Sequence, residues 1–142
     1  MNKISGAAKT IISISDDVEA WLAECFLTII ENKHKTVVNM NEFMETAYRE
    51  ALNGICKKHG GPFGAVIVKD NVIIAKGHNE VLLRKDPTAH AEVVAIRKAC
   101  KKLNTVDLSG CVLYVTSKPC PMCKGAIQWS RIKDVVFSGD YA

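Results

Sequence analysis

The stretch Pro87-Thr88-Ala89-His90-Ala91-Glu92 is answered later in the chain by Lys118-Pro119-Cys120-Pro121-Met122-Cys123. Ala91, Val94, Ala95, Ala99 and Leu103 follow His90 at helical spacing and predict a helix over 90–102. Cys120 and Cys123, about one helical turn apart, open a shorter helix predicted over 119–130. Each helix follows β-rich sequence. Two helices that start at one edge of a sheet can bring their first residues to a common point.

On the N-terminal side of the first block, 63–69 and 72–76 read as strands joined by a tight turn at Asp70-Asn71. Ala65-Val66-Ile67-Val68 is apolar on both faces, so this strand is expected to be covered on both sides. Residues 77–87 read as a polar loop. Residues 111–116 and 135–137 supply a third and a fourth strand. Upstream, Asn39 or Asn41 caps a helix whose buried face is Phe43, Met44, Ala47, Tyr48, Ala51, Leu52 and Ile55. His59-Gly60-Gly61-Pro62 is expected to end it, glycine opening the turn. Strands alternating with helices imply a sheet with helices on its faces. Further upstream, Ser15-Asp16-Asp17 starts an amphipathic helix over 17–31, with Val18, Trp21, Leu22, Cys25, Phe26, Ile29 and Ile30 as its stripe. Residues 1–14 read as a loose arm or a short strand. The chain is therefore divided into an extension, 1–40, and a domain, 41–142.

With 142 residues, 48% of them apolar and 24% charged, the composition is that of a globular protein with one core. No run of 18 apolar residues is present, so no membrane partner is expected. Residues 1–10 lack the apolar centre of a signal peptide, which sets cytoplasmic localisation as the expectation. A net charge of +4 is compatible with nucleic acid but does not require it, and ordinary solvated faces are the better reading. Among the six cysteines, Cys25, Cys56, Cys100 and Cys111 are scattered singly and read as buried thiols. A disulfide framework is the weaker reading.

One imidazole and two thiolates suit zinc, which takes nitrogen and sulfur in tetrahedral geometry. His90, Cys120 and Cys123 leave a fourth position for water, as in catalytic rather than closed structural sites, and zinc lowers the pKa of that water. The helix starts also favour thiolate over thiol. Glu92 reaches the same point without needing to bind the metal, and suits proton transfer from water to a ring nitrogen and to a leaving amine. A lone CxxC or a lone histidine is a weak signal. A redox CxxC is an alternative, but it leaves His90-Ala91-Glu92 unexplained. His34, His59 and His78 form no obvious fourth ligand position.

From Gly61 to about Phe137 the chain resembles the cytidine and deoxycytidylate deaminase superfamily. The H-x-E…P-C-x-x-C arrangement is the known zinc-deaminase pattern. Within that superfamily, Gly61-Pro62-Phe63-Gly64-Ala65-Val66, Asp86-Pro87-Thr88-Ala89-His90-Ala91-Glu92 and Pro119-Cys120-Pro121-Met122-Cys123 look most like the bacterial guanine deaminases. The tRNA-specific adenosine deaminases are near relatives that share the Asp86–Glu92 block. The resemblance implies a three-layer α/β/α sandwich around a mixed sheet, a homodimer, and one zinc per subunit. It assigns His90, Cys120 and Cys123 to the metal, Glu92 to proton transfer, and Asn79, Phe63 and the backbone N–H of Ala91 to the base. For Asn79 the plainer reading is a loop asparagine bonding its own turn, and for Phe63 a core phenylalanine.

The implied reaction is hydrolysis of a nucleobase, guanine to xanthine and ammonia. Alternatives are adenosine-to-inosine deamination in tRNA, another nucleobase or nucleoside substrate, or a catalytically silent zinc-stabilised scaffold. Three departures accompany the resemblance. Lys118 stands where relatives usually have glutamate, the chain stops soon after the fourth strand, and the N-terminal extension with its helix is extra.

Overall fold

The computed structural model describes residues 42–138. The N-terminal arm, the helix expected over 17–31 and the cap at Asn39 or Asn41 lie outside these residues. The described chain runs α1 (Glu42–Cys56), β1 (Gly64–Lys69), β2 (Val72–His78), α2 (Val81–Arg84), α3 (Ala91–Leu103), β3 (Val112–Val115), α4 (Pro121–Trp129) and β4 (Asp134–Phe137). The strands form one mixed sheet in the order β2-β1-β3-β4. β1 is antiparallel to β2 and to β3, while β3 and β4 are parallel, with α4 as the crossover between them.

Central strand β1 shows why its sequence is apolar on both faces. Ala65 and Ile67 join Leu113, Val115, Ala91, Ala95, Ala99 and Ile127 in one buried cluster. Val66 and Val68 point the other way, into a second cluster with Phe43, Met44 and Ala47 of α1. The period of two along a strand thus divides the core between two helical layers, giving the expected three-layer mixed-sheet sandwich. Close approach of helix to sheet requires small residues on both sides. A Cβ on Gly64 would lie 1.9 Å from the Ala47 carbonyl oxygen, and one on Gly77 would lie 2.8 Å from that of Ala91.

The hairpin between β1 and β2 is closed by Asp70 and Asn71, with φ of 49° and 60°. Both central residues are left-handed, as the turn that matches strand twist demands, and Asn and Asp tolerate that region best after glycine. Ile67 pairs with Ala75 while Val68 pairs with Ile73, so Ile74 is the extra residue of a bulge.

Several expectations need correction. Residues 77–87 are not simply a loop. Gly77 and His78 continue β2, pairing with Ala65 and Gly64, and Val81–Arg84 forms a single helical turn. The helix α1 is closed by Lys58 in the left-handed region (φ 57°), not by a glycine. Cys56 is exposed at the end of α1 and Cys100 is half-buried, so of the single cysteines in the described residues only Cys111 is fully buried.

Register places the site. Gly64, where β1 begins, pairs with the last residue of β2, and Ala65 pairs with Val115, the last residue of β3, which itself pairs with Phe137 at the end of β4. The carboxyl ends of β2, β3 and β4 therefore meet along one edge, the usual place for a ligand in an open α/β sheet. α3 and α4 both start from it.

Candidate metal centre and active site

His90 is the N-cap residue of α3, with extended backbone (φ −67°, ψ 158°). The turn before it is tied by Asp86, whose Oδ1 accepts from the backbone N–H of Thr88 at 2.8 Å and from its hydroxyl at 2.6 Å. Those bonds hold the Asp86 carboxyl below the usual carboxylate range. Cys120 is the N-cap of α4, with Pro121 in the first turn, where its missing N–H costs nothing. The Cys120 Sγ accepts from the Cys123 N–H at 3.5 Å.

These two helix starts converge. His90 Nδ1 lies 3.7 Å from Cys120 Sγ and 3.5 Å from Cys123 Sγ. One donor atom from each residue falls within 4.8 Å of the others, and among the described residues this is the one such group of three that could hold a metal ion. Cys123 is completely buried. Burial, followed by the nearby Glu92 carboxylate, pushes its thiol far above the usual cysteine range. A buried thiol facing a second sulfur and an imidazole is a donor set that a soft or borderline cation completes by displacing the thiol protons.

Glu92, in the first turn of α3, is 5% exposed. Burial raises its pKa, opposed by its own backbone N–H, the Cys123 thiol and His90. It lines a cavity of about 470 Å³ with Phe63, Asn79, His90, Ser117, Lys118, Pro119, Cys120, Pro121 and Lys124. That volume lies within the ordinary range for small-molecule sites. The cavity thus contains a buried carboxylate, two of the three metal-capable residues, an amide and an aromatic ring.

Asn79 closes its own turn and also faces the cavity. Its Oδ1 accepts from Val81 N–H at 3.0 Å, the turn bond of a loop asparagine, and its side chain also lines the cavity. Phe63 likewise lines the cavity while packing against the core beneath the sheet. Ala91 is completely buried and its side chain is not part of the cavity wall. As the first residue of α3, its N–H has no acceptor within the helix. His59 and His78 pair with each other, 2.8 Å apart, rather than joining the metal cluster. Sequence reading missed Ser117 and Lys124 in the wall. Ser117 carried a usable signal, because it is two residues beyond the end of β3 at the edge where the helices start.

Residues 37–139 match the model of the cytidine and deoxycytidylate deaminase zinc-binding region. The chain belongs to this family. It is 52% identical over 104 residues to guanine deaminase of Bacillus subtilis, covering 73% of this chain and 67% of that protein. It is 53% identical over 96 residues to the tRNA-specific adenosine deaminase of Aquifex aeolicus, covering 68% and 63%. The X-ray structure of the B. subtilis guanine deaminase superposes with a TM-score of 0.69 at 53% identity, over 71% of this chain and 66% of that one. The match thus spans about two thirds of the length of these relatives. No helix of the described residues is long and apolar enough to cross a membrane.

Proposed function

We propose that this chain is a zinc-dependent aminohydrolase that converts a purine base, guanine, to xanthine and ammonia. The observation that carries the reading is the buried Glu92 carboxylate on the wall of the same cavity as His90 and Cys120, with Cys123 behind it. His90, Cys120 and Cys123 would hold one zinc ion per subunit, which supplies Lewis acidity and brings the pKa of a water molecule toward neutrality. Glu92 is the catalytic residue. Its carboxylate takes a proton from the attacking water and gives it to a ring nitrogen, then takes the remaining proton of the hydroxyl newly bonded to carbon and passes it to the leaving amine as the C–N bond breaks. Asn79 and the N–H of Ala91 bond the edge of the ring and Phe63 packs against it. Walls that bury Glu92 exclude bulk water from these transfers.

Guanine is favoured as substrate by the longer match to the Bacillus enzyme, 52% identity over 104 residues against 96 residues for the Aquifex enzyme. The reading extends to a homodimer in the cytoplasm, with 1–40 as an extension and 41–142 as the deaminase domain. A second reading is adenosine deamination in tRNA. It draws on the match to the Aquifex enzyme and on the exposed Lys118 and Lys124 at the cavity wall, where a phosphate backbone would be attracted.

Ammonia release from the zinc-loaded chain, measured against guanine, adenine, cytosine, their nucleosides and a tRNA anticodon stem-loop, separates these readings. Turnover of guanine above the others is expected. Turnover of the stem-loop alone would favour the second reading. Silence on every ring with zinc bound would overturn both and leave a zinc-stabilised scaffold.

A further inference from the structure

Glu50, in the middle of α1, lies with Oε2 3.0 Å from Nδ1 of His78. On the other side of the same ring, His78 Nε2 is 2.8 Å from Nδ1 of His59, and the two rings stack with centroids 5.1 Å apart. Glu80 Oε1 lies 3.9 Å from the same Nε2, so the His78 ring sits between two carboxylates. The Glu50 carboxylate, when ionised, can only accept, so His78 donates to it from Nδ1. His78 is buried, and a Cβ on Gly54 would approach its ring to 2.7 Å. None of the three side chains lines the cavity.

Both histidines lead to Asn79 through their backbone. His78 is the last residue of β2 and directly precedes it. The His59 carbonyl accepts from the N–H groups of Leu82 and Leu83, at 2.9 and 3.0 Å, which anchors α2. Val81, the first residue of α2, donates to Asn79 Oδ1. Gly60, next to His59, sits so close that a Cβ there would lie 2.1 Å from that same oxygen. Because the Val81 N–H needs an acceptor, the amide oxygen of Asn79 is held toward its own backbone. The NH2 group is left to serve the cavity.

We propose that Glu50, His78 and His59 are positioning residues that hold Asn79 with its amide NH2 toward the cavity, so that the site selects a ring edge offering a hydrogen-bond acceptor. This deepens the purine-deaminase reading and, in naming the ring as what Asn79 meets, rests on it. The chain of bonds crosses α1, the α1–β1 loop, β2 and α2, and acts on the substrate only through Asn79.

The test uses the full zinc-loaded chain and hypoxanthine, a purine with no exocyclic amine to lose, as the binding probe. Glu50→Leu and His59→Ala are each expected to weaken its binding about tenfold. Glu50→Gln, which keeps an acceptor for His78, should stay within about twofold of the parent. In an Asn79→Ala background Glu50→Leu should add nothing, which a general loss of stability would not reproduce. Unchanged binding in both Glu50→Leu and His59→Ala, or an undiminished effect in the Asn79→Ala background, would overturn the proposal. If hypoxanthine binds to no form, parent included, the purine reading fails and the relay is decided by ¹⁵N NMR. The Asn79 side-chain NH2 resonances should then move in Glu50→Leu and His59→Ala but not in Glu50→Gln. Their staying fixed in all three would overturn it.

Discussion

Nδ1 of His90 lies 3.5 Å from Sγ of Cys123, although 33 positions of sequence separate the two residues. That distance exists because the starts of α3 and α4 share one edge of the sheet, so the fold itself assembles the donor set. A metal bound there links the two helices and stabilises the native state by mass action. Removing it with a chelator is expected to lower Tm by about 10 °C or more, since about 1 kcal/mol moves a domain of this size by several degrees. Cys123→Ala should bind no zinc and show no chelator response. Scanning calorimetry with and without chelator checks both, and an unchanged Tm would mean that no metal ties the helices.

Asn79→Ala removes the amide from the cavity and leaves the Val81 N–H without its side-chain acceptor. KM for the purine should rise about tenfold or more, with a smaller fall in kcat, as expected for binding lost before the chemical step. Steady-state kinetics reads the split. A fall in kcat alone would place Asn79 outside ring binding.

Gly64→Ala should destabilise the domain by about 1–3 kcal/mol, because its Cβ would meet backbone of α1 that cannot move independently of the helix. Gly110, with φ 81° and open space where a Cβ would stand, supplies the contrast. Gly110→Ala should cost only about 1 kcal/mol, from backbone strain. Urea midpoints compare the two, and equal losses would contradict the close packing of α1 on β1.

The carboxyl of Glu50 is held below the usual range by the hydrogen bond from His78, with burial opposing and the charges of His78, Lys76 and Lys98 assisting. A depressed folded pKa gives stability that is present above the unfolded value, about 4.3, and is lost as pH falls through the folded one. The stability difference between the parent and Glu50→Gln should therefore shrink as pH falls from about 5 toward 3. Chemical denaturation across that range measures it. A difference that grows on acidification would reverse the assignment.

The metal-capable triad was legible because its members sit at helix starts, where Pro, Cys and the turn at Asp86 mark the position whatever the surroundings. The two-faced burial of Ala65 to Val68 was legible for the same local reason. Asn79 could be picked out only by resemblance, since its turn bond to Val81 is what any loop asparagine makes. α2 was missed because a four-residue turn is too short to show a helical period. Lys58 rather than glycine closes α1, and Gly60 serves close packing against Asn79, a demand set by a strand far along the chain. The Glu50–His78–His59 chain depends on three elements meeting, and no spacing within any one of them announces it.

Proton transfer by the buried Glu92 in a purine deamination is open to direct measurement as ammonia release from guanine. Parent and Glu92→Gln proteins are compared at equal, measured zinc content. Turnover by the parent is expected, with a loss of about 10²–10⁴ in kcat in the variant and zinc retained. Ammonia release at the parent rate by zinc-loaded Glu92→Gln would contradict this role for Glu92, as would no release by either protein.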